Sequence, residues 1–232
     1  MTDPIDSEES QSSVDYIPAL VGSAYRNLGV VYPGFKPREE QQLMIKRVNG
    51  LISKKKVGVI QAPTGTGKSL GYLIPGIISA AMQDRVLIVS TATASLQEQL
   101  SKRDIPDALK AISAANVDGV SVKDVTVAVA KGRGRYVCPL KLELNQDKPD
   151  MFREESAESK NYQAIQDLLD GGLWDGSRDS MKVPMPDDQW RRIANDAASC
   201  TGKNCQHYDE CPFYISMKEV TQARVIVTNH DY

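Results

Sequence analysis

Residues 61–75 read "QAPTGTGKSLGYLIP", and the fold turns on how that stretch is used. Backbone N–H groups can wrap phosphate oxygens only where glycines remove side-chain clashes. A lysine must then reach the terminal phosphates, and a serine or threonine hydroxyl must meet Mg²⁺. Thr64, Gly65, Thr66 and Gly67 supply the wrapped backbone, Lys68 the charge and Ser69 the hydroxyl. Ala62, followed by Pro63, stands where the eight-residue pattern has its first glycine. Such a loop joins a buried strand to a helix N-terminus, whose dipole favours the anion. Both flanks are predicted. The β-branched "VGVI" at 57–60 is the strand, and Ser69 to Met82 is the helix, with Leu70, Leu73, Ile74, Ile77 and Ile78 toward a core. Pro75 removes one backbone donor within it. A glycine-rich turn with an incidental lysine would lack this context, so the stretch reads as a nucleotide site.

Outward from the loop, apolar strands continue to alternate with helices. Met44, Val48, Leu51 and Ile52 recur at helical spacing before the loop. After it come "RVLIVST" (85–91) as a second strand, "ATASLQEQLSKR" as a helix and "DVTVAVA" (124–130) as a third strand. Short apolar strands alternating with helices predict an α/β architecture with a parallel sheet covered on both faces. From 131 to 215 the chain becomes rich in Asp, Glu, Ser, Asn and Gly and holds all four cysteines. "ARVIVTNH" (223–230) then resumes the strand pattern, so the middle segment reads as an insertion.

The 232 residues, 41% hydrophobic and 25% charged, suit a soluble globular chain. No apolar run is long enough to cross a bilayer, and the opening lacks the pattern of a secretory signal. A cytosolic location is the expectation. Residues 1–16 carry five acids and no Lys or Arg, and are expected to be disordered. The other residues carry 28 bases against 25 acids, with basic groups gathered at 54–56, 131–135 and Arg191–Arg192. Solvated surface is the default reading of such groups. A phosphate loop does not name a reaction, since kinases, GTPases, ATPases and helicases share it. Hydrolysis calls for a carboxylate at a strand end. No apolar strand ends in Asp-Glu, and Asp231 is the nearest candidate.

Cys138, Cys200, Cys205 and Cys211 raise a second question. Sixty-one residues separate the first two, four the next pair and five the last, so none shows the two-residue spacing common in zinc sites. In a cytosolic chain they argue against a disulfide framework. A cubane cluster tolerates looser loops than a single ion, and Pro139 and Pro212 stiffen the chain beside two of the cysteines. Cluster ligands, zinc ligands and unligated thiols all remain open from spacing.

The motifs "FKPREEQQLMI", "APTGTGKSLGYLIPG", "VLIVSTATASLQEQL", "GRGRYVCP", "WDGSRD", "WRRIANDAASC", "NCQHYDECPFY" and "ARVIVTNH" occur in that order from Phe35 to His230. Together they resemble the iron–sulfur superfamily 2 DNA helicases related to XPD. The resemblance implies ATP-driven 5′→3′ unwinding of DNA, on a RecA-like parallel sheet of helicase domain 1 (incomplete here) with an inserted, mostly helical iron–sulfur cluster domain. The implied divisions are a disordered acidic tail at 1–16, the first part of the RecA-like domain at 17–131, the cluster domain at 132–215 and a return to the sheet at 216–232. Cys138, Cys200, Cys205 and Cys211 would ligate a [4Fe–4S] cluster, and Ala62 to Ser69 would bind ATP and Mg²⁺. Arg38 and Gln41 match an R-x-x-Q element near the nucleotide base. Thr91 and Ala92 match a motif that touches the DNA backbone, and Arg133, Arg135 and Tyr136 lie where the DNA path runs.

Implied partners are ATP and single-stranded and forked DNA, with RNA–DNA hybrids as a further candidate, no membrane, and a monomeric full-length protein in the bacterial cytoplasm. Gln61 departs from the glutamate frequent in relatives. The DEAH-type box and second motor domain are expected beyond Tyr232, which would leave this portion unable to unwind DNA alone. His207 is expected beside the cysteines without ligating. Tyr208, Phe213 and Tyr214 are expected to pack around them, Trp174 and Trp190 in a core, and His230 to cap a strand. Two other readings stand beside the helicase. One is a non-catalytic, cluster-containing single-stranded DNA-binding portion; the other is a phosphate-loop enzyme on a small acceptor with zinc at the cysteines.

Overall fold

A computed structural model describes residues 8–115, 122–146, 157–182 and 184–230. The chain forms two compact units: one runs to Val129 and resumes over Gln222–His230, and the other is built from Ala130–Thr221. The changes of unit thus fall at 129/130 and 221/222 rather than at 131/132 and 215/216.

In the first unit come α1 (Glu8–Arg26), α2 (Leu28–Val31), α3 (Glu39–Ser53) and α4 (Lys68–Met82), followed by β1 (Leu87–Thr91) and α5 (Ala94–Gln99). A π-helical turn over Leu100–Asp104 leads into α6 (Ile105–Ala114), and β2 (Val127–Val129) follows. The last strand, β3 (Val225–Asn229), arrives after the second unit and takes the middle of a parallel sheet ordered β1-β3-β2. Leu87 and Val127 both face Val225 in register, and Val89 and Val129 both face Val227. Leu20, Val21 and Ala24 of α1, Ile74 and Ile77 of α4, and Ala108 and Ile112 of α6 close over Val89, Val225 and Val227. Each fully buried Leu, Ile or Val contributes about 1.5–3 kcal/mol of transfer free energy.

Three expectations change. The acidic opening is helical from Glu8, within α1, while residues 1–7 lie outside the described residues. Ile17, Leu20, Val21, Ala24 and Tyr25 form one apolar stripe that packs into the core, and a helix anchored there propagates at little further cost. "VGVI" is not a strand: Val57 and Val59 are each 99% exposed, and 57–60 has no strand assignment. Composition supplies β propensity, but a strand exists only with a paired neighbour. Coverage of the sheet is also incomplete among the described residues, since Val127 of β2 is exposed beside buried Ala128. Val89 and Thr91 of β1 are buried, while Ile88 and Ser90 between them are exposed.

The second unit contains α7 (Pro139–Leu144), α8 (Ala157–Asp170), α9 (Asp187–Ile193) and α10 (Pro212–Gln222). Isolated antiparallel bridges join Tyr136 to Ser177 and Val137 to Ala194. Val137, Leu142, Tyr162, Ile165, Trp190 and Ile193 make its main core. Tyr136, Cys211 and Phe213 make a smaller one.

Candidate nucleotide site and cysteine site

The phosphate loop turns through Gly65 and Gly67, at φ +82° and +80°, a left-handed region that favours glycine. Helix α4 begins immediately after, at Lys68. The loop's polar groups bind one another. Lys68 Nζ donates to the carbonyls of Ala62 (3.1 Å) and Pro63 (2.9 Å). The Thr66 hydroxyl donates to the Pro63 carbonyl at 2.7 Å. These contacts hold the ammonium over the loop, where a phosphate would replace neutral carbonyls with a charged partner. Ser69 interacts with Tyr72, whose hydroxyl burial pushes up and Ser69 pulls back.

Arg38 and Gln41 reach this loop. Arg38 Nη1 donates to the Gly65 carbonyl at 2.5 Å and Gln41 Nε2 to the Gly67 carbonyl at 2.8 Å. Both side chains therefore brace the loop's backbone. The motifs gave no hint of Tyr25, which bonds Gln41 at 3.0 Å. Its only local signal is a place on the apolar stripe of α1. Thr91 is buried, with its hydroxyl donating to the carbonyl of Thr93 at 3.0 Å. Ala92 is exposed before α5, whose cap is Thr93. The His230 N–H donates to the Thr91 carbonyl at 3.0 Å, tying the end of β3 to β1. Asp231 lies outside the described residues.

The cysteine site belongs to the second unit. Cys138 caps α7, its N–H donating to the Ile193 carbonyl at 2.8 Å. Cys200 and Cys205 flank the short turn over Gly202–Asn204. Cys211 precedes α10 and is 5% exposed. All four are free thiols. Asn195, buried and not anticipated as a site residue, donates from Nδ2 to Cys211 Sγ at 3.6 Å. Cys200 Sγ lies 3.6 Å from the Tyr214 hydroxyl.

Burial pushes the Cys211 thiol up, and the nearby Cys138 and Cys200 sulfurs add to the rise. Burial also opposes ionisation of Cys200, but the Tyr214 hydroxyl, the Gly202 N–H and the Arg133 guanidinium together bring that thiol below its ordinary range. Among the described residues no group of three or more His, Cys, Asp or Glu is gathered tightly enough to hold a metal ion. The donor set itself, four thiols with Cys138 and Cys200 acting on Cys211, is of the soft kind that suits zinc or an iron–sulfur cluster.

The residues expected along a DNA path have internal partners. The Arg133 guanidinium stacks over the rings of Phe213 and Tyr214, at 4.0 and 5.5 Å, and Nη1 donates to Asn195 Oδ1 at 3.4 Å. Arg135 forms an ion pair with Asp179, which Lys131 Nζ also approaches at 3.2 Å. Tyr136 is 5% exposed, edge-on to Phe213, with its hydroxyl 2.7 Å from Ser216 Oγ. Its ring packs within the smaller core of this unit, beside Cys211 and Phe213. His207 sits between Glu143 (3.0 Å) and Glu210. Its burial opposes protonation, but the two carboxylates outweigh that and raise its pKa. Tyr208 and Tyr214 pack at 4.5 Å and Phe213 and Tyr214 at 5.2 Å. Trp190 is core, and its Nε1 donates to the Gly134 carbonyl at 2.9 Å.

Fold and site define an α/β chain with a glycine-rich loop that opens a helix and a separate unit that carries a set of thiols. No family model matches the chain. It is similar to proteins named ATP-dependent DNA helicase DinG. It is 37% identical over 226 residues to that of Escherichia coli (strain K12) and to that of Salmonella typhimurium, 91% of this chain and 30% of each relative in both cases. To the DinG of Photobacterium profundum it is 33% identical over 222 residues, 90% of this chain and 31% of that protein. The likeness read from the motifs is thus one to bacterial DinG, and the chain spans about 30% of the length of these relatives. No helix among the described residues is long and apolar enough to cross a membrane.

Proposed function

We propose that this chain supplies the phosphate-binding lobe and the thiol-bearing unit of a DinG-like helicase, which couples ATP hydrolysis to 5′→3′ movement on single-stranded DNA. The observation that carries this reading is the loop over Thr64–Ser69, with Lys68 Nζ held above its own carbonyls, in a chain 37% identical to DinG over 91% of its length. Backbone N–H groups of residues 64–67 bind the phosphate oxygens, and Lys68 exchanges its two carbonyl partners for them. The Ser69 hydroxyl turns to Mg²⁺. Arg38 and Gln41 keep the loop in shape by holding the Gly65 and Gly67 carbonyls.

In the same reading Cys138, Cys200, Cys205 and Cys211 hold a [4Fe–4S] cluster, which ties together chain segments that lie far apart in sequence and can carry an electron. Asn195 and Tyr214 hydrogen-bond two of the four sulfurs, as partners of ligating groups commonly do. Single-stranded and forked DNA are the proposed nucleic-acid partners, with Thr91, Ala92, Arg133 and Arg135 as candidate contacts.

The test is Lys68→Ala in the full-length protein. Loss of DNA-stimulated ATP hydrolysis, with secondary structure intact by circular dichroism, is the expected result. Hydrolysis that persists under DNA stimulation would sink the proposal.

A further inference from the structure

Gln41 must place the correct end of its amide against the phosphate loop. An amide has a donor end and an acceptor end, and only the donor can meet a carbonyl. The Gly67 carbonyl starts α4 by accepting from the Gly71 N–H at 3.1 Å. Its second lone pair takes Gln41 Nε2 at 2.8 Å. Turned by half a rotation, the Gln41 amide would set its oxygen against the Gly67 oxygen, and the attraction would become repulsion.

Tyr25 decides between the two orientations. Its hydroxyl accepts from the Arg38 N–H at 3.0 Å, so its single proton is left to donate. That proton goes to Gln41 Oε1 at 3.0 Å, a closer acceptor than the Arg38 carbonyl at 3.5 Å. Tyr25 and Gln41 are 4% and 3% exposed, so water cannot readily replace the lost partner in a flipped amide. Little slack is available, because a Cβ on Gly67 would lie 2.3 Å from Gln41 Nε2. The same hydroxyl thus holds the backbone of Arg38, whose guanidinium meets the Gly65 carbonyl.

We propose that Tyr25, on helix α1, is a positioning residue for the phosphate-binding loop: its hydroxyl fixes the Gln41 amide in the orientation that holds the Gly67 carbonyl. Through Gln41 and Arg38 it sets the two glycine turns from which Lys68 and Ser69 emerge. This deepens the nucleotide-site reading, and rests on it for the affinity measurement alone.

Tyr25→Phe tests the proposal, because it keeps the ring that packs edge-on to Phe35 at 5.4 Å and removes only the hydroxyl. In the nucleotide-free chain, amide hydrogen exchange over residues 61–71 should quicken about tenfold while exchange in α6 stays unchanged. Calorimetric titration with MgADP should show about tenfold weaker binding. Tyr25→Phe combined with Gln41→Ala should lose less affinity than the sum of the two single losses, the remainder passing through Arg38. Unchanged loop exchange, equal quickening in α6, or additive losses in the double variant would each overturn the proposal. If the unaltered chain binds no MgADP, the nucleotide reading falls, and the exchange comparison alone decides the role of Tyr25.

Discussion

The Arg133 guanidinium lies 4.0 Å from the centre of the Phe213 ring and extends toward Tyr214. The residues that precede Cys138 are thereby joined to those that follow Cys211. Burial disfavours the charge on Arg133, but interactions with the Tyr214 hydroxyl and with Cys200 more than compensate, so its pKa rises. A cation held in this way braces the thiol site.

Arg133→Ala should therefore destabilise the chain, by about 1 kcal/mol for the stacking lost. It should also diminish the near-ultraviolet circular dichroism of the Tyr208–Phe213–Tyr214 group. Arg133→Lys should recover part of that stability, since an ammonium keeps the charge but not the planar face. Thermal unfolding of the three proteins checks this. Equal melting temperatures would show that the stack contributes nothing.

Gly65 and Gly67 share a positive φ but not an environment. A Cβ on Gly65 meets nothing within 4 Å, whereas one on Gly67 would meet Gln41 Nε2 at 2.3 Å. Gly65→Ala should cost about 1 kcal/mol for the left-handed backbone alone. Gly67→Ala should cost about 2 kcal/mol or more, because the Gln41 bond is lost as well. Urea unfolding of both variants gives the comparison, and equal losses would remove Gln41 from the account.

The loop could be read from the sequence because its chemistry is local: the glycines, Lys68 and Ser69 that shape it are consecutive. The insertion was visible for a similar reason, since the cysteines lie together in a stretch without strand patterning. What escaped depended on partners distant in sequence. "VGVI" has the composition of a buried strand, but nothing among the described residues pairs with it. The acidic opening of α1 gives no sign that Ile17, Leu20 and Tyr25 will anchor the helix behind it. The ring partners of Arg133 and Tyr136 were likewise hidden, because Phe213 and Tyr214 lie far along the chain.

Asp196 offers a pH test. Lys141 Nζ, the Ser199 hydroxyl and the Ser199 N–H hold its carboxyl well below the usual carboxylate range. A carboxyl whose pKa is depressed by folding adds stability above its unfolded value, about 3.9, and loses it as pH falls through the folded value. Asp196→Asn should therefore melt below the unaltered chain at about pH 7. The gap should close progressively below about pH 4. Melting curves across that range check the sign, and a gap that widened in acid would contradict the arrangement.

Cys211 is the buried thiol of the four, 5% exposed, and burial and its neighbouring sulfurs hold it back from ionising. An uncompensated thiolate there is costly, and a bound cation is the natural compensation. Purified anaerobically, the chain should hold about four irons and four acid-labile sulfides. Each of Cys138→Ser, Cys200→Ser, Cys205→Ser and Cys211→Ser should reduce both together. In metal-free chain, Cys211 should react slowly with an aqueous thiol reagent, because it is buried and the reactive form is the thiolate. Cys200, brought low by Tyr214, Gly202 and Arg133 against its burial, should react faster than Cys211. Zinc without sulfide in material never exposed to air would replace the cluster with a single ion. Neither metal, with Cys211 as reactive as Cys200, would reduce the four cysteines to unligated thiols.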